Sequence, residues 1–420
     1  MKYVIMGSGP AGISAVEAIR RRDPASPITL VTEERAVAHS PVMLTYWIGG
    51  EVPRQGLFFR DASWPEKMQV DLHAGRRAVA LPAQRKKVIL EGGEEIPYDR
   101  LLIATGSSPL SLPLLGVDLQ GVYAIRRIAD AQAIEERISS RPQVLIIGGG
   151  FIGLKLACHF KQRGIIPTIL EKEARLAPRM LDQKASRFII DLLGRQGIRV
   201  ETGANIGEFL GQKGQAAGVR LKDGRTFPGQ MIIQCVGVRP NVQFLSASGV
   251  ESEEGILVNT AMETNLPGVY AAGDVTLTWD SITQQRVNNA TWPAASRQGI
   301  VAGTNMAGGN LSYQHNFPMN AFHLFGVPVL VAGNCGEETG AFSLVEEGSD
   351  SYRKLLFREG RLVGFIFIGE VAGAGSFLAL MKKKEIVSPQ DLISKSFFHR
   401  KCLPQGFGFR HGSLFSGPLG

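Results

Sequence analysis

The residues with the clearest chemical potential are three glycines near the N-terminus, whose spacing allows a backbone turn to hold a pyrophosphate. They stand in the order GxGxxG, directly after an apolar run and at the start of a helical stretch. The first glycine permits a tight turn, the second lets the backbone approach the phosphates, and the third lets helix and strand pack closely. The helix N-terminus adds free N–H groups and a positive dipole end. The segment predicts a dinucleotide site formed by Gly7, Gly9, Pro10, Ala11 and Gly12.

Two acidic residues complete this pattern. Residues 28–31 predict a second strand, and Glu33 and Glu34 follow it closely. A carboxylate at this position accepts hydrogen bonds from ribose hydroxyls in dinucleotide-binding folds. The glycines alone would be weak evidence, but strand, turn, helix, strand and acid in succession make a strong signal.

The same pattern occurs a second time in the chain. Another apolar run leads into a glycine turn, and a predicted helix and strand then end at Glu171. The turn predicts a second dinucleotide site formed by Gly148, Gly150, Phe151, Ile152 and Gly153. A duplicated fold that holds two different dinucleotides is the simplest explanation.

Length and composition are those of a globular protein with several domains. The 420 residues, 44% of them hydrophobic, allow two or three domains with a large core. No apolar run reaches the roughly 18 residues that a membrane span requires. The N-terminus lacks the features of a secretory signal, so we expect a cytoplasmic protein. The four cysteines are too scattered for a disulfide framework or a CxxC site, and we expect no metal.

The net charge of +8 favours acidic partners, but the basic residues are spread along the chain. A solvated basic surface explains this charge as well as a docking patch does. We expect no nucleic acid among the partners.

Three further motifs make the chain resemble a known enzyme family. They are residues 39–50, 101–109 and 268–275, in fixed order with the two glycine turns. The chain resembles the FAD-dependent pyridine nucleotide–disulfide oxidoreductases over about residues 1 to 390. Within that family it is most similar to NADH-dependent rubredoxin and ferredoxin reductases and to the flavoprotein part of nitrite reductases. The resemblance implies FAD and NAD(H) as cofactors.

The resemblance also implies an α/β fold with two Rossmann-like three-layer dinucleotide-binding domains and a C-terminal α+β interface domain. The FAD-binding domain is expected over residues 1–112 and 244–310, and the NAD(H)-binding domain over 113–243. The interface domain is expected over 311–395. The remaining tail, 396–420, is rich in Phe, Gly and basic residues and is expected to dock against another subunit. Its His399, Cys402 and His411 are too few and too irregularly spaced for a metal site.

Further cofactor-binding residues are implied by matching the family motifs. Thr105 and Gly106 close the first half of the FAD-binding domain, and Gly237 is their counterpart in the second domain. Gly273 precedes Asp274, whose carboxylate in the family binds the ribityl or phosphate region of FAD. A helix starting near Trp292 would aim its positive end at the flavin pyrimidine. Trp292 itself packs either on the flavin or in the core.

The acid that follows the second glycine turn bears on the choice of nicotinamide nucleotide. Glu171 suits the two free ribose hydroxyls of NADH and repels the additional phosphate of NADPH. The neighbouring Lys172 and Arg175 keep NADPH open as an alternative. We favour NADH.

Two positions depart from the family pattern. The relatives that work through a single reactive thiol have cysteine where this chain has Val42, and valine cannot form a thiolate. Where the family usually has Glu in the second fingerprint helix, this chain has Lys155. A cation there would lie near flavin N5 and favour reduction of the flavin, giving Lys155 a catalytic role. A lysine on the helix surface is the alternative.

We therefore expect an NAD(H) oxidoreductase that exchanges single electrons between FAD and an external iron–sulfur or rubredoxin-type partner. No cysteine quartet is present to hold a cluster within the chain. The chain could serve as the NAD-reducing subunit of a larger complex, such as a 2-oxoacid:acceptor oxidoreductase, and we expect an oligomer or multi-subunit assembly. The alternatives are an NADH oxidase that uses oxygen and a flavoprotein whose redox state governs a binding or scaffold role.

Overall fold

A computed structural model describes residues 1–314, 316–333, 335 and 342–387. The expected docking tail, residues 396–420 with Cys402, lies outside the described residues. Within the described ranges, none of the helices combines the length and the apolar character needed to cross a membrane.

The first nucleotide-binding domain is built on a five-stranded parallel sheet. Apart from the edge strand Val70–Ala74, which is partly exposed, the strands are largely apolar and buried. Their order across the sheet is Val269–Ala271, Arg100–Ile103, Tyr3–Met6, Ile28–Thr32 and Val70–Ala74. The α-helices of this domain are Pro10–Arg22, Met43–Ile48, Trp64–Lys67 and Trp292–Met306. Since the strand at one edge comes from residues 269–271, the domain is assembled from two separate parts of the chain.

The second nucleotide-binding domain repeats this plan. Its parallel strands are, in order across the sheet, Arg199–Glu201, Thr168–Leu170, Val144–Ile147, Met231–Gln234 and Val122–Ala124. Its helices are Ile128–Ile138, Phe151–Gln162 and Gln183–Arg195. In both domains the central strand leads directly into a glycine turn and a helix, as the duplicated pattern predicts.

Smaller sheets, antiparallel except for the parallel pairing of Ile256–Leu257 with Thr276–Trp279, lie beside the two domains and connect them. A two-stranded ribbon pairs Ser107–Pro109 with Val238–Pro240 and so links the ends of the two large sheets. The three-stranded sheets are Ile206–Gln212 with Gln215–Leu221 and Thr226–Pro228, Ala78–Ala80 with Lys87–Leu90 and Glu95–Pro97, and Ile256–Leu257 with Thr276–Trp279 and Arg286–Val287. Short 3-10 turns lie at Arg54–Leu57, Ala83–Arg85 and Gln243–Leu245.

The C-terminal domain is a five-stranded antiparallel sheet with one helix, Ala374–Lys383, packed on it. The strand order is Met319–Leu324, Val327–Gly333, Arg361–Ile368, Tyr352–Arg358 and Phe342–Glu347. The expected fold class, two Rossmann-like domains and a C-terminal α+β domain, is confirmed. The residue bounds given for the domains stay predictions.

A buried ionic contact joins the C-terminal sheet to the second domain. Asp182 caps the helix Gln183–Arg195 by accepting from the Ala185 N–H at 2.9 Å. Its other carboxylate oxygen accepts from Tyr352 at 2.7 Å and from Lys354 at 2.8 Å. Burial opposes the charge, but these hydrogen bonds hold the pKa of Asp182 below its ordinary value. The contact fixes the C-terminal sheet against the domain that carries the second glycine turn.

Candidate functional site

Each of the three glycines in the first turn meets a different geometric requirement. Gly7 has a φ of +114°, and a Cβ there would overlap the carbonyl oxygen of Ala104. A Cβ on Gly12 would overlap the carbonyl oxygen of Gly7, so the third glycine permits close contact between helix and turn. Gly9 differs, because no atom lies within 4 Å of its Cβ position. It caps the helix without any side-chain hydrogen bond, which leaves the first N–H groups free for an anion.

The second turn reproduces this geometry. Gly148 has a φ of +105°, and its Cβ would overlap the carbonyl oxygen of Cys235. A Cβ on Gly153 would overlap the Gly148 carbonyl oxygen, whereas the Cβ position of Gly150 is open. Gly150 caps the helix Phe151–Gln162, again without a side-chain hydrogen bond. Both turns therefore offer a helix N-terminus that a phosphate can reach.

A second helix end points toward the first turn. The helix Trp292–Met306 packs so tightly on Pro10–Arg22 that a Cβ on Gly299 would overlap the Ala11 carbonyl, and one on Gly303 the Ala15 carbonyl. Residue numbers increase in the same direction along the two helices at these contacts, so the helices are parallel. With a rise of 1.5 Å per residue, the helix at Trp292 begins about 9 Å further toward the carboxyl edge of the sheet. Two positive helix ends thus face the same side.

A cleft of about 280 Å³ opens at this edge of the first sheet. It brings together ten of the predicted cofactor-binding residues: Gly7, Gly9, Pro10, Ala11, Glu33, Glu34, Thr105, Gly106, Gly273 and Asp274. Gly12 and Trp292 do not line it. Trp292 instead packs edge-on to Phe59, with ring centroids 5.6 Å apart, and its indole N–H is buried without a hydrogen-bond partner among the described residues.

Several cleft residues were not predicted from the sequence. Arg126 donates to Asp274 at 2.8 Å, and Ser107 donates to the same carboxylate oxygen at 3.1 Å. Asn241 donates its amide to the Thr105 carbonyl at 2.9 Å and accepts from Ser108 at 2.7 Å. These side chains preset Asp274 and the Thr105 turn. No local sequence signal marks them, because their partners lie more than a hundred residues away along the chain.

The two acids that follow the strand Ile28–Thr32 face different surroundings. Glu33 is exposed and pairs with Arg127 at 3.1 Å. Glu34 is turned toward His39, with Oε2 and Nδ1 3.5 Å apart. Burial raises the pKa of Glu34 to about 7, and burial together with the positive charge of Arg126 lowers the pKa of His39 to about 4. Both side chains of this pair are therefore mainly neutral between about pH 4 and pH 7.

Glu171 is a fixed acceptor beside the second turn. Its Oε2 accepts from the Gly149 N–H at 2.6 Å, and its Oε1 accepts from the Glu173 N–H at 2.9 Å. Each carboxylate oxygen retains a lone pair for a further donor. The arrangement fits the predicted contact with ribose hydroxyls, which stays a prediction. Gly237, with a φ of +112°, closes the strand beside this turn and is hydrogen-bonded to Leu110.

Lys155 lies where the three domains meet. Its Nζ is 4.3 Å from the ring centroid of Tyr46, in the helix Met43–Ile48, and 3.5 Å from the His323 carbonyl oxygen in the C-terminal sheet. In the helix Phe151–Gln162, which also carries Lys155, Phe151 packs on Phe322 with ring centroids 4.6 Å apart. The side chain of Ile152 is half exposed. The ammonium of Lys155 is thus held at the junction by an aromatic ring, and its catalytic role stays a prediction.

The described cysteines are poorly suited to redox chemistry. Burial raises the pKa of Cys158 to about 11 and the pKa values of Cys235 and Cys335 to about 12, so they remain protonated near neutral pH. The side chain of Val42 is 53% exposed, just before the helix Met43–Ile48. Among the described residues, no group of three or more His, Cys, Asp or Glu side chains is placed to hold a metal ion.

The geometry of the first cleft fits a bound dinucleotide. The open Gly9 position, the uncapped helix end and the unpaired nitrogens of buried His39 are what an anionic ligand would complete. The second turn offers the same cradle for another nucleotide, with Glu171 beside it.

Comparison with known proteins identifies the family. The model of the pyridine nucleotide-disulphide oxidoreductases matches residues 1–299, and that of the rubredoxin NAD+ reductase C-terminal domain matches residues 318–385. The chain is 30% identical, over 92% of its length and 93% of the relative, to the NADH-dependent phenylglyoxylate dehydrogenase subunit epsilon of Aromatoleum evansii. It is 31% identical to an NADH oxidase of Methanocaldococcus jannaschii, over 73% of the chain and 70% of the relative.

Solved structures agree with this result. The NAD-dependent persulfide reductase from A. fulgidus superposes with a TM-score of 0.87 at 25% identity, covering 94% of this chain and 79% of that one. The predicted family resemblance and the predicted cofactors are therefore confirmed. The chain belongs to the pyridine nucleotide-disulphide oxidoreductase family and is an enzyme that uses FAD and NAD(H).

Proposed function

We propose that this enzyme transfers a hydride between NAD(H) and FAD and exchanges single electrons between FAD and an iron–sulfur or rubredoxin-type protein outside the chain. We further propose that it works as the NAD(H)-handling subunit of a larger complex, such as a 2-oxoacid:acceptor oxidoreductase. When bound, FAD supplies the chemistry that connects the two-electron and one-electron steps.

The observation that carries the proposal is the side chain at position 42. A thiol relay needs a thiolate beside the flavin, and Val42 cannot supply one. The described cysteines do not replace it, because burial holds their thiols protonated. Electrons therefore have no thiol carrier among the described residues, and the next carrier must come from outside them.

The remaining residues hold and orient the two nucleotides. The open positions at Gly9 and Gly150 leave room for one pyrophosphate each. Arg126 fixes the carboxylate of Asp274 in the FAD cleft, while Glu171 presents a fixed acceptor in the other domain. Such preorganised contacts reduce the entropy lost when the reactants are brought into line.

The relatives support the kind of partner. One is by name a subunit of an NADH-dependent phenylglyoxylate dehydrogenase, which acts on a 2-oxoacid, and it matches this chain along nearly its whole length. The C-terminal domain model takes its name from rubredoxin reductases. The name of the domain model supports an acceptor that carries one electron at a time, and the name of the relative supports a complex.

An anaerobic titration with NADH tests the proposal. The flavin should be fully reduced by one NADH per FAD, and replacing Cys158, Cys235 and Cys335 by alanine should leave that stoichiometry unchanged. A Val42→Cys variant is the matched control, because its exposed position should make the new thiol reactive toward an alkylating reagent. Uptake of four electrons per FAD by the wild type would reveal a thiol carrier and overturn the proposal.

Purification from the native source separates the two possible kinds of partner. A permanent complex should co-purify and resist salt. A transient carrier should be reduced more slowly as salt rises from about 0.05 to 0.5 M, while reduction of the flavin by NADH stays constant, since salt screens the encounter of exposed charges.

The M. jannaschii relative favours the oxidase as the second candidate. Rapid NADH consumption in air by the isolated chain, without reduction of rubredoxin or ferredoxin, would decide for it.

A further inference from the structure

A buried histidine in the wall of the FAD cleft lacks hydrogen-bond partners. His39 lines the cleft and is 6% exposed, and neither ring nitrogen has a hydrogen bond to the described residues. Buried polar atoms in native proteins are nearly always paired, because an unpaired one loses its hydration without compensation. An unpaired atom in a cleft wall therefore marks a contact that a ligand completes.

The backbone places this ring next to the phosphate-binding turn. The N–H of Ala38 donates to the carbonyl of Ser8, inside the first glycine turn, at 3.2 Å. Arg126, which also lines the cleft, acts on the ring of His39 in two ways: its guanidinium disfavours a positive charge there, and its backbone lies near enough to the ring to oppose that effect in part. A neutral imidazole beside a pyrophosphate can contribute one N–H, and which nitrogen carries it depends on the neighbour of the other.

We propose that His39 is a cofactor-binding residue whose Nε2–H donates to a phosphate oxygen of FAD, and that Glu34 selects this tautomer through Nδ1. A protonated Glu34 donates to Nδ1 and leaves the proton on Nε2. An ionised Glu34 instead accepts from Nδ1–H, and the neutral ring then has no donor for the phosphate. This proposal rests on FAD occupying the cleft and is independent of the electron acceptor.

The charges around the pair give the proposal a pH dependence. Glu34 is surrounded by Arg127, Arg126, Asp130 and Glu33 in addition to His39, yet burial dominates and raises its pKa to about 7. The pKa of Glu34 then sets the fraction of protein that is ready to bind. At pH 8 that fraction is about one tenth, and if the ionised form binds about tenfold more weakly, the dissociation constant of FAD should rise roughly fivefold between pH 6 and pH 8.

Glutamine at position 34 provides the decisive test. Its amide donates to Nδ1 at every pH, so Glu34→Gln apoprotein should bind FAD with the same dissociation constant at pH 6 and at pH 8, whatever Glu34 itself contributes to ribose binding. His39→Phe keeps the ring and its burial but removes the donor. It should weaken FAD binding on the order of tenfold at pH 6 and abolish the pH dependence. Quenching of FAD fluorescence on titration into apoprotein measures each constant.

His159→Phe is the matched control, because His159 is also a buried histidine, 1% exposed, with an unpaired Nε2 that lies outside the cleft. It should change neither the FAD affinity nor its pH profile. Equal FAD affinity of wild type and His39→Phe at pH 6, or a Glu34→Gln variant that weakens at pH 8 as the wild type does, would overturn the proposal. Neither result would affect the NADH stoichiometry that tests the electron path.

Discussion

The two open glycines allow cofactor binding to be separated from folding. Gly9 has backbone angles of −77° and −174° and Gly150 of −74° and 176°, which any residue adopts. An alanine Cβ at either position meets no protein atom within 4 Å. We therefore expect Gly9→Ala and Gly150→Ala to fold normally, with free energies of unfolding within about 0.5 kcal/mol of the wild type.

The methyl group does occupy the space that a phosphate needs. Pushing the phosphate away from the helix end lengthens N–H contacts to a charged acceptor, each of which contributes about 1.5–3 kcal/mol. Losing one such contact should raise the dissociation constant roughly 10- to 150-fold. By contrast, Gly12→Ala and Gly153→Ala place the Cβ onto a carbonyl oxygen of their own turn. Those variants should lose about 1–3 kcal/mol or more of stability.

We expect each variant to impair the binding of a different cofactor. Gly9→Ala should lose FAD on dialysis, and Gly150→Ala should keep its FAD but require more NADH for half-maximal flavin reduction. Thermal unfolding of the apoproteins measures stability. Gly194→Ala is the control, because this helical glycine also has an open Cβ position but lies away from both turns. If Gly150→Ala emptied the flavin site while Gly9→Ala impaired NADH use, the assignment of the two cofactors would be reversed. Unchanged binding in both variants would refute the role of the open positions.

Three further substitutions test other contacts. Glu171→Gln, which keeps an acceptor but removes the charge, should reduce the preference for NADH over NADPH in kcat/KM by about tenfold, and an unchanged ratio would remove the acid from nucleotide selection. Lys155→Glu should lower the flavin reduction potential by tens of millivolts, because it reverses the charge held over Tyr46; a redox titration equal to that of the wild type would return the lysine to a structural role. Lys354→Met leaves Asp182 buried without its cation, and denaturant unfolding should show that the free energy of unfolding falls by about 3–5 kcal/mol. Adding Asp182→Asn to the same chain should largely restore that free energy, because it removes the unpaired buried charge.

The parts of the site that could be predicted from the sequence are those made by neighbouring residues. Gly7, Gly12 and the strand before them form one turn, so their spacing alone determines which atoms would overlap. The recurrence at Gly148 extends the same local reasoning to a second domain. The two nucleotide-binding domains followed, because a strand that feeds a glycine turn and a helix builds a parallel sheet, whereas the C-terminal α+β domain was expected from the family resemblance.

The parts that could not be predicted depend on contacts between distant segments. Arg126 reaches Asp274, and Asn241 reaches Thr105, across the ribbon that joins the domains. Trp292 could be placed at a helix start from the sequence, but only the packing shows that it lies against Phe59 and outside the cleft. Periodicity and spacing report on one element at a time and give no signal for such pairs.

The acids beside the two turns differ in a way that fits the cofactor proposed for each turn. Glu171 is already held by two backbone N–H groups, so a nucleotide that binds there finds an ordered acceptor and leaves it ordered on departure. Glu34 faces a histidine whose nitrogens have no partner among the described residues, so this site is completed only by its ligand. Release of that ligand would again expose unpaired buried atoms, which favours retention. The preset acid therefore fits the proposed NAD(H) site, whose nucleotide must exchange at every turnover, and the unpaired histidine fits the proposed FAD site, whose cofactor must stay bound.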